Sequence, residues 1–471
     1  MTFVAPTTTP LGDCLARLTA ALGRGVVAAT PLLVHPARPW WRATPDDLLA
    51  RELGLSFSER DGVPLVGANA AGAALPYPGP VLDVAAASGA CLVVDRAAFD
   101  AAGGAGPLAD ADAAAIDLCL RLRARGGRVV AVPGALALDD RAVRPGAGAV
   151  APAVVRALAD RHGPRLLPRS DRLRFAITVA APSPKVAPRW GDWHFAQALA
   201  RALERRGSSA RVQPLSSADD PAVRTCDVHV VVRGLARVRR TPGQQHVVWV
   251  ISHPETVTAE ECDEADLVLV ASERFAAHLR ARTSTPVAVL LQATDHHRFR
   301  PFPPEARHAH EVTVVAKTRD VLRPMVADAL AMGIRPAIYG NGWERFVDPA
   351  LVVAQYVPNE ELPIVYSSAG VVLNDHWGTM REWGFVSNRI FDALACGAPV
   401  VSDDMPEIAM LFGDAVATYR DPKELAAAVE HLLAEPGEAR ARAQRGREAV
   451  LRSHTFDHRA DALLELLAGL R

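Results

Sequence analysis

The feature that most limits what this chain can fold into is a series of short apolar runs, each followed by a helical stretch. The first run, at residues 173–182 (LRFAITVAAP), has the continuous hydrophobicity of a strand buried on both faces of a parallel sheet. An amphipathic helix over 195–206, ended by Gly207, comes after it. Further runs lie at 227–234, 246–253, 266–272 and 287–293.

A second series begins at Glu311 and restarts the same alternation. Its runs lie at 311–317, 335–340, 370–376 and 398–404, with helices at 387–395 and 456–470. Strands that alternate with helices indicate parallel sheets with helices on both faces. We therefore predict an α/β protein with two Rossmann-like lobes facing a cleft, at 169–296 and 297–471. Ligands of such sheets bind at the carboxyl ends of the strands.

The first 168 residues form a section of their own. Strand-like runs lie at 25–34, 91–94 and 128–132, and a helix is predicted at 113–125. Residues 143–168, rich in Ala, Pro, Arg and Gly, read as a connector that holds one helix at 151–162. We predict a separate α/β module over 1–168.

Composition narrows the class of protein. A formal net charge of −1 argues against nucleic acid as a partner. The six cysteines form no C-x-x-C pair, which argues against a metal cluster and a disulfide framework and fits a reducing compartment. The N-terminus lacks a signal-peptide pattern and no apolar run approaches a membrane span. We expect a cytoplasmic, bacterial protein; peripheral membrane contact and the oligomeric state stay open.

Residues 381–408 carry the most specific pattern. A loop with Gly384 and Phe385 leads to Ser387 and Asn388 at a helix start, whose unpaired N–H groups and dipole suit a diphosphate. Asp392 lies one turn further on the same face and can accept two hydrogen bonds from a ribose diol. The alternative is an ordinary capped helix with an exposed aspartate.

Two other loops follow strands of the second lobe. The loop after 311–317 offers Lys317, Arg319 and Arg323 to neutralise a leaving diphosphate; the alternative is a solvated loop. In 339–346, Gly340 and Asn341 allow a nucleotide to approach the backbone closely, although a buried turn fits equally well.

In the first lobe, three polar residues are candidates for catalysis. His253 ends an apolar strand at the edge that faces the cleft; a structural histidine is the alternative. His194 lies in the loop before the helix at 195–206, together with Asp192, and could bind the acceptor or act as a base.

The stretch DALACGAPVV, with Asp392 before A-x-A-C-G-x-P-V-V, resembles the donor-binding region of group 1 (family 4) glycosyltransferases of the GT-B fold. The CgeB-like subgroup is the most similar. Segments at 248–255, 266–279, 290–301 and 454–467 match the family in the same order, so the resemblance covers about residues 170–471.

The resemblance implies roles for single residues. Asp392 would contact the ribose, His253 the donor sugar near the reacting carbon, and Lys317 and Arg323 match a pair of cations spaced six apart. Gly384 stands where the family has a first acid, so Glu382 or the backbone would contact the sugar. The implied donor-binding set is Lys317, Arg319, Arg323, Gly340, Asn341, Glu382, Gly384, Phe385, Ser387, Asn388, Arg389 and Asp392.

Residues 88–104 and 116–138 resemble the acceptor-side half of a family 2, GT-A glycosyltransferase. The family's acidic pair is replaced by Ala114 and Ala115, only Asp117 remains, and the nucleotide-binding half with its D-x-D is absent. We interpret 1–168 as a degenerate, truncated GT-A-like module in which Asp117 faces helix packing. The alternative is an unrelated small α/β domain.

Together these patterns predict an enzyme that moves a sugar from a nucleoside diphosphate-sugar to an acceptor hydroxyl. It would retain anomeric configuration, need no cofactor and no essential metal, and serve surface polysaccharide or secondary-metabolite glycosylation. Two alternatives stay open: a GT-B-fold sugar-nucleotide epimerase or hydrolase, and a non-catalytic scaffold or spore-coat type protein.

Overall fold

The computed structural model describes residues 1–36, 48–60, 63–68, 81–139, 150–167, 172–235 and 237–470. Residues 143–149 and 168 of the predicted connector therefore lie outside the described residues. The chain forms two compact units: Met1–Asp171 with Asp219–Cys226 and Thr241–Gln244, and Arg172–Ala218 with Asp227–Arg240 and Gln245–Arg471. Among the described residues, no helix has the length and apolar character needed to cross a membrane.

Unit 1 is built on a mixed sheet of seven strands. The described strands of the whole unit are Thr2–Val4 (β1), Thr8–Pro10 (β2), Val26–Pro36 (β3), Leu48–Glu52 (β4), Leu55–Arg60 (β5), Val63–Ala68 (β6), Leu82–Asp83 (β7), Cys91–Val94 (β8) and Arg128–Asp139 (β9). The order β1-β8-β3-β9-β2 carries β4 beside β3 and β7 beside β9, while β5 and β6 form a separate hairpin pair. Only β3 and β9 run parallel in the described part of this sheet.

The helices of unit 1 include the two predicted from sequence. They are Cys14–Ala20 (α1), Arg96–Ala101 (α2), Ala111–Ala124 (α3), Pro152–His162 (α4) and, from the inserted segment, Pro221–Arg224 (α6). The buried Asp117 of α3 accepts from Arg121 at 2.9 Å, from Arg161 at 2.8 Å and bonds His162 at 2.9 Å. This carboxylate thus joins α3 to α4, as expected of a residue that faces helix packing. The GT-A resemblance itself stays a prediction.

The first lobe of unit 2 is a parallel sheet of six strands. These are Arg174–Val179 (β10), Ser209–Pro214 (β11), Val228–Arg233 (β12), Gln245–Val250 (β13), Leu267–Val270 (β14) and Val287–Val289 (β15), in the order β11-β10-β12-β13-β14-β15. Its helices are Gly191–Arg205 (α5), Ala259–Asp263 (α7) and Glu273–Arg280 (α8). Helix α5 begins four residues earlier than predicted, so Asp192 and His194 lie in its first turn, not in the preceding loop.

The second lobe repeats this design with a different strand order. Its strands, Val312–Val315 (β16), Ala337–Tyr339 (β17), Val352–Ala354 (β18), Val371–Asn374 (β19), Val400–Asp403 (β20) and Val416–Tyr419 (β21), are parallel in the order β18-β17-β16-β19-β20-β21. Its helices are Pro324–Ala331 (α9), Leu362–Ser368 (α10), Gly378–Trp383 (α11), Asn388–Ala395 (α12), Pro406–Phe412 (α13), Pro422–Ala434 (α14), Pro436–Ser453 (α15) and Phe456–Gly469 (α16).

The last helix returns to the first lobe. A capping box between Thr455 and His458 starts α16. Phe456 packs edge-on against Phe195 of α5, with ring centroids 4.7 Å apart, inside the apolar core of the first lobe. Arg205 donates to Asp457 at 2.8 Å on the surface of the same contact. Helix α16 therefore completes the apolar core of the first lobe.

Candidate functional site

The carboxyl ends of β16 and β19 form the base of the candidate site. These two strands are neighbours at the centre of the second sheet, where the strand order reverses and the loops leave in opposite directions. The loop after β16 contains Lys317 and Arg319, and the loop after β19 contains Asp375, His376 and Trp377.

The three predicted cations of the second lobe come together, but in two different states. Arg323 is 7% exposed and donates to the carboxylate of Asp375, which is 4% exposed. Lys317 and Arg319 are exposed, and among the described residues neither is in an ion pair. The guanidinium of Arg319 lies 4.8 Å over the ring of Trp377. Arg323 therefore holds the loop in place, while the positive charges of Lys317 and Arg319 remain accessible at its surface.

Arg389 lies beneath this loop. Its Nε donates to Val315 O at 2.6 Å and its Nη1 to Asn374 Oδ1 at 2.5 Å, so it ties the ends of β16 and β19 together. Burial, reinforced by the charge of Arg323, lowers the pKa of Arg389 to about 10. The predicted donor-binding Arg389 thus supports the loops from within the lobe.

The N-terminus of α12 is fixed by His376. The Ser387 N–H donates to His376 Nε2 at 2.9 Å, and His376 Nδ1 lies 2.6 Å from Asp403 Oδ1. Since Nε2 accepts from a backbone N–H, the ring is neutral and its Nδ1–H donates to Asp403. The N–H of Ser387 is therefore paired within the lobe, and the N–H groups of Asn388 and Arg389 follow it in the first turn of α12.

Asp392 lies one turn into α12, as predicted, and joins the helix to the segment between the lobes. Its Oδ1 accepts from Thr294 Oγ1 at 2.7 Å, and its Oδ2 from Asn388 Nδ2 at 2.9 Å. Burial raises the pKa of Asp392 to about 8, and the charge of Asp295 acts in the same direction. The hydrogen bonds from Thr294 and Asn388 oppose that rise.

The stretch 382–385 docks onto the first lobe. Arg274 of α8 donates to Glu382 O at 2.7 Å, and Ser272 Oγ donates to Trp383 O. Phe385 is 0% exposed and packs in the core of the first lobe, 5.6 Å from the ring of Phe275. The aromatic side chain of Phe385 therefore joins one lobe to the other and is not free to contact a donor; a donor contact by its backbone stays a prediction.

Gly384 faces a carboxylate of α13. Its φ is +74°, and a Cβ at this position would lie 2.5 Å from Glu407 Oε1. Arg274 Nη2 donates to the same oxygen at 2.5 Å, while Glu407 Oε2 is buried and has no hydrogen-bond partner among the described residues. The resemblance expects an acidic residue at position 384, where this sequence has glycine. The carboxylate of Glu407 lies against that position instead. The side chain of Glu382 itself is exposed.

Gly340 and Asn341 lie beside the loop of cations. A Cβ on Gly340 would lie 2.0 Å from Ala316 O, so only glycine lets β17 end this close to the start of that loop. The backbone of Asn341 accepts from Thr318 N at 3.4 Å, and Asn341 is exposed. Both residues border the site: Gly340 packs against Ala316, and Asn341 is exposed beside the loop.

Asp192 is the contribution of the first lobe that reaches the cations of the second. Its Oδ2 lies 3.6 Å from the Cβ position of Gly234, just after β12, at the point where the strand order of the first sheet reverses. Burial raises the pKa of Asp192, and the positive charges of Arg319, His253 and Lys317 oppose that rise. A carboxylate of one lobe thus lies within electrostatic range of cations of the other.

His253 follows β13 in a left-handed conformation with φ +54°, which is uncommon for a residue other than glycine. Its Nδ1 lies 3.1 Å from Glu255 Oε1. Burial alone would raise the pKa of Glu255, but hydrogen bonds from its own backbone N–H, His253 and Thr379 hold it below its usual value. Thr379 belongs to α11, so this pair also reaches the second lobe.

His194 does not belong to this group. Two residues after Asp192 on a helix, it points elsewhere: its Nε2 lies 2.8 Å from Pro188 O. Burial lowers the pKa of His194, and the nearby charges are those of Arg298, Glu360 and Arg201. The role of His194 in binding the acceptor or acting as a base stays a prediction.

Several residues of the site were absent from the predicted set. Trp377 follows a strand of the second lobe and Asp403 ends one, and this position is the signal that could have found them. Thr294, Arg274 and Glu407 carry no such signal, since each is brought to the site by the packing of the two lobes.

Residues 317–465 match the protein family described as "Glycosyl transferase-like". No curated protein matches the chain. The matched region begins at the cation Lys317 and contains every predicted donor-binding residue. The two Rossmann-like lobes have the architecture of the GT-B fold, and residues 317–465 carry the glycosyltransferase match. The predicted GT-B architecture and the predicted class of enzyme, a glycosyltransferase, are thereby confirmed; the CgeB-like subgroup, the GT-A-like module and the independence from metal stay predictions.

Solved structures similar to this chain cover nearly two thirds of it. Sucrose-phosphate synthase from Thermosynechococcus elongatus is 15% identical over 64% of this chain and 99% of that chain, with a TM-score of 0.45. HepE of Anabaena, in complex with UDP-glucose, is 12% identical over 63% of this chain and 100% of that chain, with a TM-score of 0.43. An alpha-glucosyltransferase in complex with UDP is 10% identical over 63% of this chain and 100% of that chain, with a TM-score of 0.48.

Proposed function

We propose that the protein transfers a sugar from a nucleoside diphosphate-sugar to an acceptor hydroxyl in the cleft between its two lobes. The observation that carries this proposal is that the carboxylate of Asp192 in the first lobe is close enough to Lys317 and Arg319 of the second for their charges to act on it. Two cations on one wall suit a diphosphate, and a carboxylate on the other suits a hydroxyl group.

The diphosphate would lie against the loop after β16. Lys317 supplies a mobile ammonium, while Arg319 is steadied by the ring of Trp377, so its planar fork is partly ordered before the ligand arrives. The first-turn N–H groups of α12 add a partial positive charge from a second direction. As the bond between the anomeric carbon and the diphosphate breaks, these groups stabilise the negative charge that develops on the leaving oxygen.

The acceptor would lie against the first lobe. Its hydroxyl oxygen forms the new bond to the anomeric carbon, and its proton passes to a base. Asp192 is placed to receive that proton in an inverting reaction, or to orient the hydroxyl while the leaving phosphate takes it in a retaining one. The resemblance to family 4 favours retention, and the anomeric configuration of the product distinguishes the two.

The wider setting is part of the same proposal. All six cysteines are free and buried, which suits a reducing compartment such as the cytoplasm. We place the acceptor among surface polysaccharides or secondary metabolites. Because Lys317, Arg319 and the α12 terminus supply the positive charge, we expect transfer to need no added cofactor or metal.

A ligand screen tests the proposal. The full chain is heated with UDP, GDP, ADP and dTDP and with their glucose conjugates, and a specific ligand raises the unfolding midpoint by mass action. The ligand that stabilises the chain is then supplied with candidate acceptors in excess chelator. Sugar transfer is the expected result. Release of free sugar or of an isomerised donor without acceptor would indicate a hydrolase or epimerase, and no stabilisation by any nucleotide would contradict the proposal.

A further inference from the structure

Two histidines and an aspartate meet where the segment between the lobes touches the returning helix α16. Nε2 of His296 lies 3.7 Å, and Nε2 of His297 3.6 Å, from the same oxygen, Oδ2 of Asp457. The three ligand atoms all lie within 4.8 Å of one another. We propose that this cluster binds a divalent transition-metal ion, and that the ion ties the interlobe segment to α16.

The distances fit coordination better than hydrogen bonding. They exceed the limit for a hydrogen bond. A tetrahedral ion with bonds of about 2.0–2.2 Å holds its ligand atoms roughly 3.3–3.6 Å apart. The two histidine–aspartate separations are already close to this value, so small side-chain rotations would complete the site.

The backbone places both imidazoles on one side. Neighbouring side chains of an extended segment point in opposite directions, but residues 296–298 form a turn. Asp295 holds that turn: its backbone oxygen accepts from Arg298 N at 2.9 Å and its Oδ1 from His297 N at 3.3 Å. The rings of His296 and His297 consequently lie side by side, with centroids 4.1 Å apart.

The third ligand is held independently. Asp457 Oδ1 accepts from Arg205 at 2.8 Å and from Arg206 at 2.7 Å, which leaves Oδ2 directed at the histidines. The two chain segments are joined nearby by Phe456 N, which donates to Thr294 O at 3.0 Å. Because ligands and segments are positioned beforehand, little ordering is needed when the ion binds.

The ligand set selects the class of ion. Two imidazoles and one carboxylate suit Zn²⁺, Co²⁺, Ni²⁺ or Cu²⁺ rather than Mg²⁺ or Ca²⁺, which prefer oxygen ligands. The side chain of His297 is 55% exposed, so water can fill the remaining coordination positions. The two arginines on Asp457 weaken the attraction for a cation, and their removal should therefore strengthen binding. This proposal does not depend on the proposed sugar transfer.

The test is a titration of the untagged, chelator-treated full chain with Co²⁺ and Zn²⁺. We expect one ion per chain by calorimetry and a visible absorption band of Co²⁺ in a low-coordinate site. His296→Gln and His297→Gln should each weaken binding at least tenfold, and their combination should abolish it. Both side chains are partly exposed, so we expect folded variants, which circular dichroism checks.

Two further variants sharpen the result. His431→Gln, on the exposed surface of α14, is the matched control and should bind like the wild type. Arg205→Gln removes one of the positive charges on Asp457 and should bind the ion more tightly. Equal binding by the wild type and the double histidine variant would overturn the proposal, as would a wild type that gives no cobalt band.

Discussion

The two lobes of unit 2 share one architecture and carry opposite charges at the same place in it. In the first lobe the strand order reverses between β10 and β12, and the carboxylate of Asp192 lies there. In the second it reverses between β16 and β19, where Lys317 and Arg319 lie. A parallel sheet thus determines where a ligand binds, and the residues that follow its strands determine which chemical group is bound.

The largest expected effect comes from the acidic side of this comparison. Asp192→Asn keeps the shape of the side chain and removes the carboxylate, so sugar transfer should fall by about 10²–10⁴-fold. Affinity for the nucleoside diphosphate should not weaken, because the cations of the second lobe are unchanged. Initial rates and calorimetry measure the two quantities. His194→Gln, from the same helical turn, should leave both unchanged; an equal loss in the two variants would contradict the division of roles.

On the basic side, Arg323 is expected to act through stability. Arg323→Gln leaves the buried carboxylate of Asp375 without its ion-pair partner, which should cost about 3–5 kcal/mol in the free energy of unfolding. The matched control is Arg345→Gln, since Arg345 pairs with Asp320 on the surface; there we expect a cost of about 0.2–1 kcal/mol. Urea denaturation measures both. Similar costs for the two variants would show that the buried pair is no more important than a surface pair.

Lys317 and Arg319 should instead affect ligand binding. Lys317→Gln and Arg319→Gln should each weaken binding of the nucleoside diphosphate by about 1.5–3 kcal/mol, the contribution of a hydrogen bond to a charged group. Unfolding should be nearly unchanged, since both side chains are exposed. Lys423→Gln, on the exposed surface of α14, removes the same charge elsewhere and should have no effect on affinity. If all three variants weakened binding equally, the cations would act only through a general attraction for the negatively charged nucleotide.

A further expected effect concerns Asp392 and the dependence of stability on pH. Its pKa is raised from an ordinary value of 3.8 to about 8, so the folded state favours the protonated carboxyl. The stability that follows is fully present below the ordinary pKa and is lost as the pH rises through about 8. The wild type should therefore lose stability relative to Asp392→Asn, which does not titrate, between about pH 4 and pH 8. Urea unfolding of both proteins across this range measures the difference, and the opposite trend would contradict it.

The sequence was sufficient to predict those features that depend on local pattern. The apolar runs marked nine of the twelve parallel strands of the two lobes, many of which are continuous buried segments. They missed β11, β18 and β21, which are only partly buried. The Gly-loop and helix at 384–395 were also visible, because their residue types follow from turn and helix geometry. The start of α5 was missed because Gly191 and Trp190 are weak helix-start residues and lack a capping side chain.

What the sequence could not supply were the contacts between distant segments. Arg323 and Asp375 are 52 positions apart, and nothing in either loop indicates that they pair. In the same way, the approach of Glu407 to Gly384 and the burial of Phe385 depend on how two helices pack. A phenylalanine after a glycine fits a binding loop as well as a docking contact, so only the assembled lobes distinguish the two.

The position of Phe385 has a consequence for how this protein can change over evolutionary time. The segment beside the proposed donor site also joins the two lobes through Phe385. A substitution there therefore alters both the donor site and the contact between the lobes. A mutation that adapts this loop to a new sugar would disturb the core of the first lobe and need a compensating change near Phe275. Donor preference and the rigidity of the interlobe joint should consequently be inherited together.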